Sequence, residues 1–530
     1  MKERNELMER MELVILETSD VHGNIFPLNY GNNQSSDVGL GKIASLIKKE
    51  RTKNPYVLLV DNGDLIQGTP LTYHYARVNS HRPNPMIVAA NEMKYDAAVF
   101  GNHEFNYGKD ILDSAVNDSN FPWLSANIVS VETDKPYFGK PYLVKKAGDL
   151  KVGILGLTTH YIPNWEQPQH IEGMRFEDAV LAAKKWVKIL KDDEKVDIVV
   201  VSYHGGFERD LVTGEPTEKL TGENQGYQIC MEIEGIDVLL TGHQHRQIAG
   251  NLINGVIVVQ PGKDGIALGK VTILLEKDAA GWKCMQKSSE LLSVPSDEED
   301  FSLLEVVKRY EDDTQDWLDQ PIGKIEGAMI FRDPMEVRIK DNSLIEFINR
   351  VQMEVSGVDI SCTALFDSVA LGFPEDVTMR AVVSNYIYPN TLKVIRITGQ
   401  DMKDALEQSA SYFEQYDGIE IKVNPAFIYP KPQHYNYDMW EGIDYLIDIS
   451  KPIGERIVKL EYKGEPVELG KEYDVVMNNY RSSGGGNYIM YKNKPVMKEI
   501  PTDISEIIAN YILKNKIVKA TVNHNWKVIY

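Results

Sequence analysis

The sequence predicts two α/β domains joined by a helix, and three observations carry the prediction. A chain of 530 residues exceeds what one ordinary domain holds. From Glu12 to about Leu275, short apolar runs alternate with helical patterns, as in layered α/β domains. After residue 292 the composition changes twice, first to an acidic stretch and then to a Tyr-, Asn- and Gly-rich one. With 43% hydrophobic and 25% charged residues, the chain has the makings of a sizeable core.

Taken in order, "ELVILETSD" is the first strand candidate, and "LGKIASLIKKE" follows with Ile43, Leu46 and Ile47 at helical spacing. "YVLLVDNGD" and "AAVFGNH" are the next apolar runs. "VGILGLTT" and the helix-like "FEDAVLAAKKWVKILKDD" precede two more, "VDIVVVSYHG" and "IDVLLTGHQH". Residues 12–292 are therefore expected to form one domain. In 293–322 an acidic entry precedes Leu303, Leu304, Val307, Tyr310 and Trp317 on a helical repeat, the pattern of a linker helix. Residues 323–530 are expected to form a second, mixed α/β domain.

A formal net charge of −21 argues against nucleic acid polymers, whose phosphates need a basic face. It does not exclude a small anion, because a local metal site outweighs distant charge. The three cysteines, Cys230, Cys284 and Cys362, are far apart and give neither a disulfide framework nor a CxxC metal pattern. The first apolar run, Leu13–Leu16, is shorter than a secretory or membrane segment needs. A cytoplasmic protein without a membrane partner is expected, or a secreted or cell-wall one if a leader has been removed. Oligomeric state is not legible.

The chemistry is read from what ends each apolar run. The five ends are Asp20-Val21-His22, Asp61-Asn62-Gly63-Asp64, Gly101-Asn102-His103-Glu104, Tyr203-His204-Gly205-Gly206 and Gly242-His243-Gln244-His245. In open α/β sheets ligands sit beyond the carboxyl ends of strands, so five such ends can converge. One DxH or GHxH alone would be an ordinary structural pair; five are hard to explain as packing. Asp, Asn and His together suit a first-row divalent metal rather than a thiolate zinc site. Seven donors, Asp20, His22, Asp64, Asn102, His204, His243 and His245, exceed the needs of one ion but suit two, roughly 3.5–4 Å apart with a bridging carboxylate. Two carboxylates and two divalent ions leave a net +2, an electropositive pocket suited to a phosphate ester.

"DVHG", "GDLIQG", "GNHEF", "SYHGG" and "GHQH", in this order, resemble the calcineurin-like metallophosphoesterase signature, and the second half resembles that of the 5′-nucleotidase family. The resemblance implies an αββα β-sandwich with flanking helices, a linker helix and a C-terminal nucleotide-binding domain. It implies that Asp20, His22, Asp64 and His245 hold one metal ion and Asp64, Asn102, His204 and His243 the other, the ions being Mn, Zn, Fe or Co. His103 would donate to the phosphoryl oxygen or the leaving group. Many 5′-nucleotidases support that histidine with an Asp, where this chain has Asn106; an amide orients an imidazole but does not stabilise its cation as a carboxylate does. The role of Glu104 stays open.

The "NGGGIR"-like stretch of typical 5′-nucleotidases is missing, the comparable region reading "ISCTALFDSVALG". "YPNTL", "NYDMWEGIDYLIDISKPIGERI" and "NNYRSSGGGNY" instead resemble the 2′,3′-cyclic-nucleotide 2′-phosphodiesterase/3′-nucleotidase branch. By that resemblance Tyr388 and Tyr480 sandwich the base, each stack being worth about 1–3 kcal/mol. The loop of Arg481, Ser482, Ser483, Gly484, Gly485 and Gly486 would approach the ligand closely, since glycine lacks a Cβ. The expected function is hydrolysis of 2′,3′-cyclic nucleotides to 3′-nucleotides, and of these to nucleosides. The alternatives are a 5′-nucleotidase or a nucleotide-sugar or dinucleotide hydrolase and, from another class, a non-catalytic nucleotide-binding sensor, against which the intact ligand set speaks.

Overall fold

The computed structural model describes residues 9–530 except Lys219, Ala280, Asp367, 369–371, Ile387, Pro389 and Pro501. The charged leader 1–8, Pro389 of "YPNTL" and part of "ISCTALFDSVALG" therefore lie outside the described residues. The chain divides into two compact units, 9–29 with 33–313, and 30–32 with 314–530. The division falls inside the helix Phe301–Leu318, which occupies the segment read as a linker helix.

The first unit is built on two six-stranded sheets. One orders Gly281–Ser293, Ala267–Asp278, Glu9–Thr18, Val57–Asp61, Ala97–Val99 and Trp123–Leu124. The other orders Gln247–Ile253, Val256–Pro261, Val238–Thr241, Ile198–His204, Leu150–Thr158 and Tyr142–Ala147. In the first, Glu9–Thr18 and the three strands after it run parallel while Ala267–Asp278 is antiparallel to them; in the second, the four inner strands run parallel. Leu13, Ile15, Leu58, Val60, Ile154, Ile198, Val200 and Leu240 pack together between the sheets. The alternate residues Val199, Val201 and Tyr203 pack with Ala183 and Val187 of the helix Ala179–Asp192 and with Ile229. Burial on both faces is why these strands read as unbroken apolar runs. Asp178 caps that helix, its carboxylate accepting from the Leu181 amide at 2.9 Å. The helix Leu40–Lys53 has Ile43 and Ile47 buried, as the spacing predicts.

The second unit carries a five-stranded mixed sheet, ordered Asp438–Glu441, Ser361–Ala364, Glu472–Asn478, Leu392–Thr398 and Val496–Ile500. A three-stranded and a four-stranded sheet accompany it. The helices Ser343–Ser356, Gly399–Ala410 and Ile504–Asn515 bury Phe347, Leu406 and Ile508 in one common core with Trp440 and Val475. Among the described residues, no helix is long and apolar enough to cross a membrane.

Candidate active site

Each of the five strand ends marked in the sequence closes a parallel strand, so all five lie at the carboxyl edge of the two sheets. The segments that follow are tied to one another by backbone. The Asp20 amide donates to the Gly63 carbonyl at 2.9 Å, and the His22 amide donates to the Asp64 carbonyl at 2.8 Å. Asp20, His22, Asp64, His243 and His245 have φ of 53°, 49°, 56°, 65° and 57°. Non-glycine residues enter this left-handed region at a cost, and such conformations gather at functional sites. Gly101 meets a steric demand instead: a Cβ there would lie 2.2 Å from Asp64 Oδ1 and 2.8 Å from His204 Cε1.

The side chains converge. Asp64 Oδ2 lies 3.3 Å from His204 Nε2 and 3.9 Å from His22 Nε2. His22 Nε2 is 3.0 Å from His245 Nε2, which is 3.4 Å from Asp20 Oδ1. Asn102 Oδ1 is 3.2 Å from His204 Nε2 and 2.9 Å from His243 Nδ1. Donor atoms of Asp20, His22 and His245 lie within 4.8 Å of one another, as do those of Asp20, Asp64 and His204. All seven predicted donors are thus brought together, with Asp64 between the two halves.

The electrostatics of the set favour cations. Asp20 and Asp64 are fully buried, and their ion-pair partners among the described residues are histidines. Burial disfavours an imidazolium at His204, but Asp64, with Asp20 and Glu104, outweighs it and pushes that group up to about 10. Burial would raise Asp64, yet His204 and His103 hold it well below the usual carboxylate range. Burial pushes His22 well down, and His245 and His103 add to the effect. A divalent ion among these carboxylates would replace the proton on His204 and take neutral imidazole ligands, so the residues fit metal.

The groups behind the donors are largely ones the sequence did not announce. His204 Nδ1 faces the Asn62 carbonyl at 2.7 Å, which turns Nε2 toward Asp64 and Asn102. His243 Nε2 lies 2.9 Å from Glu223 Oε1, and Trp165 stacks on its ring at 5.4 Å. Ser19 Oγ donates to Asp20 Oδ2 at 2.6 Å. Glu104, buried, accepts from the amides of Asp64 at 2.8 Å and of Leu65 and Gly101, both at 2.6 Å. Its carboxylate pins the Asp64 loop to the Asn102 loop, which answers the question the sequence left open.

His103 lies beside the set, its ring centroid 5.2 Å from that of His22, with Nδ1 at 2.7 Å from Asn106 Oδ1. Asn106 Nδ2 donates to Glu166 Oε2 at 2.7 Å. Glu166 Oε1 accepts from the Gln167 amide at 2.7 Å and lies 2.9 Å from His170 Nδ1. A carboxylate only accepts, so Glu166 fixes which way the Asn106 amide points, and Asn106 Oδ1 then requires a proton on His103 Nδ1. The carboxylate absent at position 106 is present one residue further out.

In the second unit, Arg481 is buried and its guanidinium is spent on the protein. It pairs with Asp438 at 2.7 Å, donates to the carbonyls of Gly485 at 2.5 Å and Tyr435 at 3.0 Å, and lies 4.0 Å over the Tyr488 ring. Ser482 and Ser483 bond back to the carbonyls of Asn479 and Tyr480 at 2.9 and 2.8 Å. These three residues shape the loop. A Cβ on Gly485 would fall 2.6 Å from Tyr480 Cζ, so the glycine backbone lies directly on that ring. Gly486 has the same character: a Cβ there would meet Asn436 Oδ1 at 2.1 Å. Tyr480 and Tyr388 are both half-buried. Tyr388 stands edge-on to Tyr435 at 6.3 Å, and the Tyr435 carbonyl is held by Arg481, so the Arg481–Asp438 pair supports both tyrosines' surroundings.

Comparison with known proteins finds relatives along nearly the whole chain. Residues 13–247 match the model of the calcineurin-like phosphoesterases, and residues 321–493 match that of the 5′-nucleotidase C-terminal domain. The 2′,3′-cyclic-nucleotide 2′-phosphodiesterase/3′-nucleotidase of Salmonella typhimurium is 30% identical over 90% of this chain and 82% of its own. The trifunctional nucleotide phosphoesterase protein YfkN of Bacillus subtilis is 28% identical over 98% of this chain, which spans only 39% of that longer protein. A Staphylococcus aureus structure, provisionally described as a 5′-nucleotidase and solved with α-ketoglutarate, superposes with a TM-score of 0.89 at 36% identity, covering 98% and 99% of the two chains.

Proposed function

Because the chain belongs to the 5′-nucleotidase family of metallophosphoesterases, we propose that it hydrolyses nucleotide phosphoesters. The preferred reactions are opening of 2′,3′-cyclic nucleotides to 3′-nucleotides and cleavage of 3′-nucleotides to nucleosides and phosphate. The observation that carries this reading is the convergence of the seven donors beside a histidine whose tautomer is fixed. Asp20, His22, Asp64 and His245 would hold one divalent ion, and Asp64, Asn102, His204 and His243 the second. Bound there, divalent ions supply Lewis-acid neutralisation of the phosphoryl charge and activate water at neutral pH.

The remaining work falls to the protein's own groups. With Nδ1–H given to Asn106, His103 presents Nε2 as the atom that would hold and release the proton needed by the departing ribose oxygen. Asn62 and Glu223 hold the His204 and His243 rings in ligating orientation. Tyr388 and Tyr480 would take the base on their faces, with Arg481 and the Gly484–Gly486 loop setting the shape of that surface.

The choice of ester follows the Salmonella relative; the Staphylococcus structure's description favours a second reading, a 5′-nucleotidase. Phosphate release from 2′,3′-cyclic AMP, 3′-AMP and 5′-AMP, measured side by side with added phosphomonoesterase to reveal ring opening, separates the two. The first two substrates are expected to exceed 5′-AMP in kcat/KM by at least about tenfold, a difference of about 1.4 kcal/mol. A preference for 5′-AMP would overturn the choice of ester and leave the metal centre standing.

A further inference from the structure

Wholly within the second unit, three carboxylates meet in the interior. Asp341 precedes the helix Ser343–Ser356, Glu346 stands in its first turn, and Glu441 ends the strand Asp438–Glu441. They are 5%, 6% and 7% exposed, and one oxygen from each lies within 4.8 Å of the other two. The segment 521–525 is strapped to all three. The His524 amide donates to Asp341 Oδ2 at 2.7 Å, the Asn523 amide to Glu346 Oε2 at 2.8 Å, and Asn523 Nδ2 to Glu441 Oε1 at 2.5 Å.

Those bonds leave the cluster incomplete. Asp341 Oδ1 is buried and has no hydrogen-bond partner among the described residues, although its carboxylate belongs to the group of converging oxygens. Among the described residues Asn525 Oδ1 is likewise buried and unpartnered, while its Nδ2 is anchored on the carbonyls of Trp440 and Ile443, which flank Glu441. An unsatisfied buried oxygen carries a full desolvation cost, so two on the same few residues ask for a ligand that accepts oxygen donors.

The charge count says the same. Three carboxylates bring −3, and among the described residues the cation in ion-pair reach is Arg350, 3.7 Å from Glu346, which leaves −2. His524 also faces Asp341. Burial, with Asp341 and Glu346 adding to it, pushes Glu441 up to about 7, so the trio resists holding three charges unaided.

We infer that Asp341, Glu346 and Glu441, with Asn525, form a binding site for a hard divalent cation of the calcium type. An all-oxygen donor set excludes the soft and imidazole-preferring metals that suit the other centre. Ca–O distances of about 2.3–2.6 Å place opposed ligands up to about 5 Å apart, which accommodates the spacing seen here. The ion would tie the 521–525 segment, the helix start and the strand end together, a stabilising role rather than a catalytic one.

Thermal unfolding of the full chain in EGTA and in millimolar Ca²⁺ tests this, using wild type, Glu441→Gln, Asp341→Asn and, as a control on the other centre, Asp64→Asn. Ca²⁺ is expected to raise the wild-type and Asp64→Asn midpoints by about 3 °C or more. It should leave Glu441→Gln unmoved, and in EGTA that variant should be at least as stable as wild type, because one repelling charge is gone. A Ca²⁺ shift of equal size in Glu441→Gln, or no shift in wild type, overturns the site. Tb³⁺ luminescence excited through tryptophan needs no variant, since Trp440 adjoins Glu441 in sequence. Emission that Ca²⁺ displaces is expected, and its absence overturns the site even if the variants do not fold.

Discussion

Replacing Glu166 examines the support of His103 without touching a metal ligand. Glu166 Oε2 accepts from Asn106 Nδ2 at 2.7 Å, and its side chain is 5% exposed. Its other oxygen receives the Gln167 amide, with His170 Nδ1 at 2.9 Å. Every neighbour that faces the carboxylate can act as a donor, so Glu166→Gln sets an NH₂ group against one of them. Relief comes most directly by turning the Asn106 amide, which then presents NH₂ to His103 Nδ1 and reverses its tautomer. Losing a hydrogen bond to a charged group is worth about 1.5–3 kcal/mol. If that loss is felt in the transition state, kcat falls about 10- to 150-fold. Turnover of 3′-AMP and metal content are measured together; kcat should drop while the metal stoichiometry and KM hold. Asn106→Asp alone should also be slow, because it sets two carboxylates 2.7 Å apart, but Asn106→Asp with Glu166→Gln should recover most of the rate by placing the carboxylate directly on His103. Glu166→Gln within twofold of wild type, or a double variant no better than either single one, would refute the relay.

Asp64→Ala should abolish hydrolysis and lower the bound metal measured by elemental analysis while the far-ultraviolet spectrum stays native; two tightly held ions in that variant would remove Asp64 from its bridging place. Glu223→Gln should weaken metal binding about 10- to 100-fold by loosening the His243 ring, read from activity against free metal concentration. Unchanged metal dependence would make Glu223 a bystander. Tyr388→Ala and Tyr480→Ala should each lower kcat/KM on nucleotides about 5- to 150-fold, the worth of one base stack, and spare a simple aryl phosphate. Equal losses on both substrates would show that the rings serve the fold.

What the sequence reveals of the fold depends on burial. Ile198–His204 is buried on both faces, so seven successive buried positions stand out as one apolar run. Gly281–Ser293 lies at a sheet edge with most of its residues exposed or half-buried, and "GWKCMQKSSELLS" carries no comparable signal, although it is as much a strand as the others. The helices Pro70–Val78 and Pro85–Met93 were equally silent, each being short and opening on a proline that reads as a turn.

The site divides in the same way. Its donors were legible because each is adjacent in sequence to a strand end, and the sheets bring strand ends together whatever the loops do. The groups that orient them have no such tie. Glu166 and Glu223 sit 60 and 20 residues from the side chains they hold, in segments without pattern, and only the folded backbone pairs them. Arg481 shows the converse. The motif around it was legible and drew it toward the substrate, yet a buried guanidinium matched to Asp438 and two carbonyls is committed to the loop before any ligand arrives. A motif therefore places residues near the chemistry, and the hydrogen-bond inventory decides which of them are left to perform it.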